Sequence, residues 1–219
     1  MRMRRTVQFL LVAALLARAG LAWGANADQN PIGSVTAVTG IVGLERKGHE
    51  SNVAPSSAVF VGDVYTTKPS STLIIRLLGG TELDVGQSTS IVMDQDTLVS
   101  ATRAQLTIIK LLGGKLHSFV NALATGGQFF VRTDNAICGV RGTEFETAYI
   151  VGRPCPDAPT CLRYTDVAVY KGTVEVTNPT NPQRASVMVG KGQETAVPCE
   201  LAPTSPSPLG MRELGTLYH

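Results

Sequence analysis

The sequence predicts an all-β protein built of many short strands, in a solenoid-like or a sandwich-like arrangement. Between residues 33 and 197, short runs of β-branched and apolar residues alternate with glycine, and helix-type periodicity is nearly absent. The 22 Gly and 12 Pro are typical of a chain with many turns. The predicted strands cover residues 34–38, 41–46, 63–66, 72–77, 82–85, 90–93, 106–111, 115–120, 129–132, 144–150, 163–170, 173–177, 186–189 and 194–197. Strands this short and this evenly spaced favour a sandwich, a barrel or a solenoid.

One heptapeptide pattern occurs twice, as IIRLLGG at residues 74–80 and as IIKLLGG at residues 108–114. Each copy has the pattern of a strand, a Gly-Gly turn and a second strand. Two interpretations stay open. The copies are either hairpins of a common type that resemble each other by chance, or equivalent strands in neighbouring coils of a solenoid.

Residues 1–27 have the three-part pattern of a secretory signal peptide. Three arginines within the first five residues precede an apolar run at 9–17, and Ala-Asn-Ala at 25–27 supplies small residues for cleavage. The run is interrupted at Arg18 and is shorter than the roughly 20 residues that a membrane-spanning helix needs. We therefore expect cleavage after Ala27 and export to the periplasm or cell surface, without membrane insertion of the mature chain. An uncleaved anchor is the alternative.

The basic character of the whole chain comes from this leader. Removing residues 1–27 takes away four Arg and no acid, so 19 basic and 17 acidic residues become 15 and 17, a formal net charge of −2. The remaining sequence has no clustered stripe of Lys and Arg, which a nucleic-acid or anionic-membrane partner would require. We expect neither partner.

The rest of the chain divides into a short leader at residues 28–32, a β domain at 33–197 and a flexible Pro-rich tail at 198–219.

Four cysteines in an exported chain permit disulfides. Cys155 and Cys161 lie six residues apart in a Pro-rich segment, and we expect them to be bonded to each other. A second bridge between Cys138 and Cys199, or two unpaired thiols, both remain open.

The sequence predicts no catalytic, cofactor or metal site. His49, His117 and His219 are the only histidines, and none lies in a pattern that would activate a nucleophile. No closely spaced pair of Cys or His suggests zinc. The segment Gly113-Gly114-Lys115 ends like a phosphate-binding loop, but Leu116 stands where that loop requires Ser or Thr. Carboxylate pairs of the glycosidase type are set by folding and not by spacing, so sequence does not test them, and we expect a protein that is not an enzyme.

The segment FFVRTDNAICGVRGTEF, residues 129–145, resembles the signature of the FecR domain, roughly F-x-V-x-T-P-x-A-x-x-G-V-R-G-T-x-F. Shorter matches follow in family order at residues 38–42, 62–67, 80–83, 167–176 and 190–193, so the resemblance covers nearly all of 33–197. Asp134 stands where the family often has Pro, and Gly79 where it often has Asp. The insertion at 152–160 lengthens one connection. The motif residues of interest are Gly139, Val140, Arg141, Gly142, Thr143 and Phe145.

The resemblance implies a bacterial envelope β domain, best known from regulators that connect an outer-membrane transporter to an extracytoplasmic-function sigma factor. Those regulators have a cytoplasmic, sigma-binding N-terminal part, and only about seven residues precede the apolar run here. We therefore do not expect direct sigma-factor control. The favoured function is a binding or signalling module that contacts an envelope protein or glycan. The alternative is a structural or assembly component whose tail or insertion binds a neighbour.

Arg141 has two competing interpretations. As a ligand-binding residue, it would present a planar guanidinium to a carboxylate, from a backbone kept open by Gly139 and Gly142. As a structural residue, it would fold back onto backbone carbonyls that the turn leaves unpaired. The apolar strands on either side favour the structural interpretation, because unpaired carbonyls would be costly there.

Overall fold

A computed structural model of the chain describes residues 30–99, 104–123, 125–183 and 185–210. The predicted signal peptide and the last nine residues lie outside these ranges. Within them the chain forms strands and no helix, so the predicted all-β fold class is confirmed. The strands are β1 (Gly33–Thr39), β2 (Val42–Arg46), β3 (His49–Asn52), β4 (Ala58–Val59), β5 (Val64–Thr67), β6 (Thr72–Leu77), β7 (Glu82–Val85), β8 (Ser90–Val99), β9 (Ala104–Phe119), β10 (Gln128–Arg132), β11 (Ile137–Val140), β12 (Glu144–Val151), β13 (Arg163–Lys171), β14 (Thr173–Thr177), β15 (Ser186–Gly190), β16 (Gln193–Pro198) and β17 (Ser207–Pro208). The described residues include no helix of the length and apolarity that crossing a bilayer requires.

Hydrogen bonds join the strands into one continuous sheet that folds back on itself at β9. The front half runs in the order β4-β1-β6-β7-β9-β12-β13-β16-β17. The back half runs in the order β3-β2-β5-β8-β9-β10-β11-β14-β15. Neighbours are antiparallel except β9 and β10, which are parallel. We call these halves the front sheet and the back sheet.

Strand β9 belongs to both sheets. Its first ten residues pair with β8 and β10 in the back sheet, and the residues from Gly114 to Phe119 pair with β12 in the front sheet. Gly114 has φ +89, and an added Cβ would lie 2.6 Å from Thr89 Cα, so only glycine fits there without strain. The second heptapeptide copy is therefore a strand crossing between sheets. The hairpin predicted for residues 108–114 is wrong, whereas the first copy does join β6 to β7.

One hydrophobic core fills the space between the two sheets. Alternate residues of each strand point into it, as the burial pattern of β6 shows, where Leu73, Ile75 and Leu77 are buried. The largest fully buried side chains come from both sheets: Tyr65, Phe129, Phe145, Leu73, Ile75, Leu83, Ile91, Met93, Ile109, Leu111, Leu116 and Glu194. Of the two predicted arrangements, the two packed sheets correspond to the sandwich.

The segment after β16 corrects the prediction of a flexible tail as far as residue 210. β17 pairs with β16, and the Thr204 hydroxyl accepts a hydrogen bond from Ala196 N at 3.0 Å. Asn178 donates to the carbonyls of Cys199 and Leu201 at 2.8 and 2.7 Å. These bonds come from residues distant in sequence, so composition alone did not reveal them. The predicted leader at residues 28–32 ends too late, because Ile32 already belongs to the fold. Ile32 is buried, and its N donates to Val59 O at 2.8 Å.

Candidate functional site: the Arg141 cleft

The first half of the motif segment is a structural connection between β10 and β11. Asn135 is fully buried, and its side-chain Nδ2 donates to Val197 O at 2.6 Å. Its side-chain Oδ1 accepts from the Thr165 hydroxyl at 2.7 Å. The Thr133 hydroxyl accepts from Ala136 N at 2.9 Å. These bonds satisfy buried polar groups, as the interior of a sandwich requires.

Gly139, Val140 and Phe145 belong to the core and to close strand contacts. An added Cβ at Gly139 would lie 3.0 Å from Cε1 of Phe130, its neighbour across β10 and β11. Val140 is buried, and Phe145 is among the largest fully buried side chains. The sequence motif therefore begins and ends in packing residues, with the turn between them.

The turn at Gly142 and Thr143 is fixed by hydrogen bonds on both sides. Thr143 N donates to Val120 O at 3.0 Å, Val120 N donates to Thr143 O at 2.9 Å, and the Thr143 hydroxyl donates to Thr173 O at 3.1 Å. Gly142 has φ +130, where an added Cβ would lie 3.1 Å from Ala122 Cα. Glycine is needed here for both reasons.

Arg141 differs from the rest of the motif. Its side chain is exposed, and within the described part of the chain its guanidinium forms no hydrogen bond and no ion pair. The structure thus does not support the interpretation in which Arg141 caps backbone carbonyls of its own turn. The carbonyl of Thr143, which such a cap would have served, is bonded to Val120 instead.

A shallow cleft of about 300 Å³ lies beside this guanidinium, and we call it the Arg141 cleft. Its lining residues come from the end of β9, the motif turn and the end of β13: Phe119, Val120, Asn121, Ala122, Arg141, Gly142, Thr143, Glu144 and Lys171. Two cations, Arg141 and Lys171, face one carboxylate, Glu144, and Phe119 is 39% exposed. The cleft therefore suits an anionic group that can also pack against an aromatic ring.

Behind the Arg141 cleft, the front sheet carries a row of charged side chains on the face opposite the core. Asp84, His117 and Glu146 are cross-strand neighbours on β7, β9 and β12. Lys115 Nζ lies 2.9 Å from Glu146 Oε1, with both side chains buried. His117 stacks on Tyr170, with ring centroids 5.2 Å apart. Burial raises the pKa of Asp84, and burial and Glu146 raise the pKa of Tyr170 to about 12.

This charged row links neighbouring strands of the front sheet through ion pairs and a ring stack. The described residues include no group of three His, Cys, Asp or Glu side chains that could hold a metal ion. The sequence indicated only that His117 lies in no nucleophile-activating pattern, and its partners were not found because cross-strand register cannot be read from one chain.

A second cleft, of about 680 Å³, lies where the predicted insertion meets the first half of the chain. Lys68 and Arg153 line it together with Leu112 and Val151, which is 62% exposed. The described lining contains hydroxyls but no carboxylate. We call it the Val151 cleft. Sequence reasoning placed the insertion on the surface but did not connect it with Lys68 or Leu112.

The disulfide prediction is wrong. Cys161 is bonded to Cys199, with Cα atoms 5.8 Å apart, while Cys155 and Cys138 are free and buried. Cys161 precedes β13 and Cys199 follows β16, which is the antiparallel neighbour of β13. The two cysteines therefore lie side by side despite a sequence separation of 38. Short spacing in sequence made Cys155 look like the natural partner.

Fold and site together define an all-β domain that presents, on a fixed turn, an arginine without a partner among the described residues. The chain belongs to the FecR family: the family model described as "FecR protein" matches residues 63–175, which are 113 of the 219 residues. This match begins at buried Asp63 and ends in β14, so it includes the whole motif.

The fold is similar to two crystal structures of "a putative anti-sigma factor" from Parabacteroides distasonis, at 2.50 and 1.65 Å resolution. The identities are 17% and 16%, each with a TM-score of 0.50. Each match covers 66% of this chain and 59% of the other chain, so this chain matches less than two thirds of those proteins' length. A comparison with curated proteins finds no match. At such identities the likeness shows the fold alone.

Proposed function

We propose that this chain is a non-catalytic binding and signalling domain of the bacterial cell envelope, exported by residues 1–27 and acting through contact with another envelope protein or a glycan. The observation that carries the proposal is the exposed guanidinium of Arg141, which has no partner among the described residues. Membership of the FecR family supports the envelope signalling role.

The rigidity of the turn makes Arg141 suitable for recognition. Because Thr143 is already held by Val120 and Thr173, binding would order little more than the arginine side chain itself. A guanidinium offers two parallel N–H donors to a carboxylate, so the expected contact is a carboxylate of an acidic protein segment or an acidic sugar. Lys171 adds a second positive charge, and Phe119 an apolar surface.

Direct contact with a sigma factor is not included in this proposal. The predicted signal peptide would carry the β domain out of the cytoplasm, where sigma factors act. Signalling would then pass through a second envelope protein that binds the Arg141 cleft. The anti-sigma factor description belongs to the structural neighbours, whose likeness to this chain is in the fold.

The test is a pull-down from solubilised envelope fractions with the exported chain as bait. Arg141→Ala should melt like the wild type, since its side chain has no described partner, and should lose the bound protein or glycan by roughly tenfold or more. Arg76→Ala is the control for loss of a surface arginine, because Arg76 is exposed and does not line the cleft, although it is paired with Glu82. Retention of every partner by folded Arg141→Ala would contradict the proposal.

The Val151 cleft favours a second candidate function, a structural or assembly component of the cell surface. Exposed Leu112 and Val151 beside two cations would suit a neighbouring subunit with an acidic, partly apolar surface. In that case Val151→Ser with Arg153→Ala should release a co-purifying surface assembly. Arg141→Ala should not, which separates the two candidates.

A further inference from the structure

Three of the four cysteines pack in one small apolar cluster at the edge of the front sheet. Cys155, Cys161 and Tyr164 form its buried part, and Cys199, Ile150 and Ala158 pack against them. Only two of the three sulfurs are bonded, in the Cys161–Cys199 disulfide. A buried free thiol thus lies beside a disulfide, which is the arrangement that thiol–disulfide exchange requires.

The loop that carries Cys155 already holds it against Cys161. Cys155 N donates to Cys161 O at 2.9 Å, and Cys161 N donates to Ala158 O at 2.8 Å. Cys155 also forms an antiparallel bridge with Ala158. A backbone hydrogen bond between two cysteines keeps their Cα atoms within the range that a disulfide spans, so Cys155 and Cys161 can bond without rebuilding the loop.

We propose that Cys155 is an exchange thiol that exposes Cys199 as a reactive site for disulfide-bearing partners. The Cys155 thiolate attacks Cys161 Sγ, a Cys155–Cys161 bond forms, the Cys161–Cys199 bond breaks, and Cys199 leaves as a thiolate. The chain has one disulfide before and after this exchange, so no oxidant or reductant is consumed. The Cys199 thiolate can then attack an external disulfide, forming a mixed disulfide and releasing one thiol.

Cys199 is suited to be the leaving sulfur. Its residue is partly exposed, whereas Cys155 and Cys161 are buried. Asn178 and Arg163 still bind the backbone at Cys199, so the freed thiol remains at this edge of the sheet.

Exchange is expected to depend on pH. Burial raises the pKa of the Cys155 thiol above the ordinary 9.0, with backbone N–H groups of Asp157 and Ala158 acting in the opposite direction. Of the charged groups facing the thiol, Asp157 on the loop and Asp166 on β13 also raise that pKa. Only a small fraction of the thiol is therefore thiolate near neutrality, and exchange should accelerate as the pH rises.

The test uses the purified full chain without reductant. The protein is held at about pH 8.5, near the ordinary pKa of a thiol, then quenched in acid, denatured, alkylated with N-ethylmaleimide and digested with trypsin. Arg153 precedes proline and is not cut, so Cys155 and Cys161 stay on peptide 142–163, while Cys199 lies on 192–212 and Cys138 on 133–141. Native pairing gives a cross-linked pair of peptides; exchanged pairing gives two separate ones.

We expect labelled Cys199 and an internal Cys155–Cys161 bond in roughly one tenth of the chains or more. A tenfold ratio of native to exchanged chains corresponds to a difference of about 30 mV between the reduction potentials of the two disulfides. Cys155→Ser, or Cys155→Ala if the first variant folds poorly, should leave Cys199 unlabelled. Cys138→Ser is the matched control, because Cys138 is equally buried but lies in the main core, and it should exchange like the wild type. No labelled Cys199 in the wild type, or equal labelling in Cys155→Ser, would overturn the proposal.

Discussion

Replacing Asp63 with asparagine tests the charged contact that fixes the first half of the back sheet. Asp63 is fully buried at the entrance to β5. Arg46 Nε and Nη2 donate to its two carboxylate oxygens at 2.6 and 2.8 Å. Phe60 N and the Tyr65 hydroxyl donate to the same carboxylate at 2.9 and 3.0 Å. Asparagine has the same shape, but its amide nitrogen cannot accept: in place of Oδ1 it would face the Arg46 Nε donor, and in place of Oδ2 it would face the other three donors.

The expected loss follows from burial and from what Arg46 can recover. Removing one partner of a buried ion pair costs about 3–5 kcal/mol when the remaining charge stays desolvated. The Arg46 side chain is 34% exposed and can regain water, so we expect the lower end, about 3 kcal/mol. For a domain of this size that corresponds to a Tm lower by about 6–12 °C.

Urea unfolding followed by far-ultraviolet circular dichroism measures this loss. Glu82→Gln is the matched control, because the Arg76–Glu82 pair has a similar 2.6 Å contact but lies at the surface. That control should cost about 0–1 kcal/mol. If Asp63→Asn also costs less than about 1 kcal/mol, the carboxylate is not the anchor that its four hydrogen bonds suggest.

Three further outcomes are expected. Gly142→Val should lower the free energy of unfolding by roughly 2–3 kcal/mol, because φ is +130 and Ala122 Cα is close. Thermal unfolding measures this loss, and an unchanged Tm would contradict the prediction. Gly114→Ala should cost at least as much, whereas Gly113→Ala, with open space around its added Cβ, should cost well under that in the same assay. Burial raises the pKa of Asp84 above its ordinary 3.8, so the folded state favours the protonated carboxyl. The stability that protonated Asp84 adds is therefore fully present below pH 3.8 and is lost as the pH rises through the raised pKa. Asp84→Asn should remove this pH dependence of the free energy of unfolding, measured by urea unfolding at several pH values. An unchanged pH dependence in the variant would contradict the assignment to Asp84.

The fold class could be predicted because most of the strands carry their own signal. Alternating apolar residues identify β6 and β14 regardless of what they pair with. Strand β3 could not be found this way, since its four residues are polar and exposed and depend on the tight turn at Lys47 and Gly48, both with positive φ. Polar edge strands are identified by their neighbours, which a single sequence does not give.

The crossing of β9 was missed for a related reason. Two adjacent glycines are the usual mark of a hairpin turn, and they do mark one at Gly79 and Gly80. At Gly113 and Gly114 the same pair lets one strand pass from the back sheet to the front sheet beside Thr89. Local sequence is the same in both places, and only the tertiary neighbours differ. The Cys161–Cys199 bond was hidden in the same way, by the pairing of β13 with β16.

The motif Gly139–Thr143 now separates into two kinds of residue, which the sequence showed as one. Thr143 is held by hydrogen bonds, and Gly142 is required by its positive φ and by the nearby Ala122, so changing either should disturb the turn and weaken any binding indirectly. Arg141 has no such contact, so changing it should leave the fold intact. A partner lost with Gly142→Val alone would therefore report only on folding. A partner lost with Arg141→Ala, at unchanged Tm, would report on recognition, and this difference makes Arg141 the residue on which the proposed function depends.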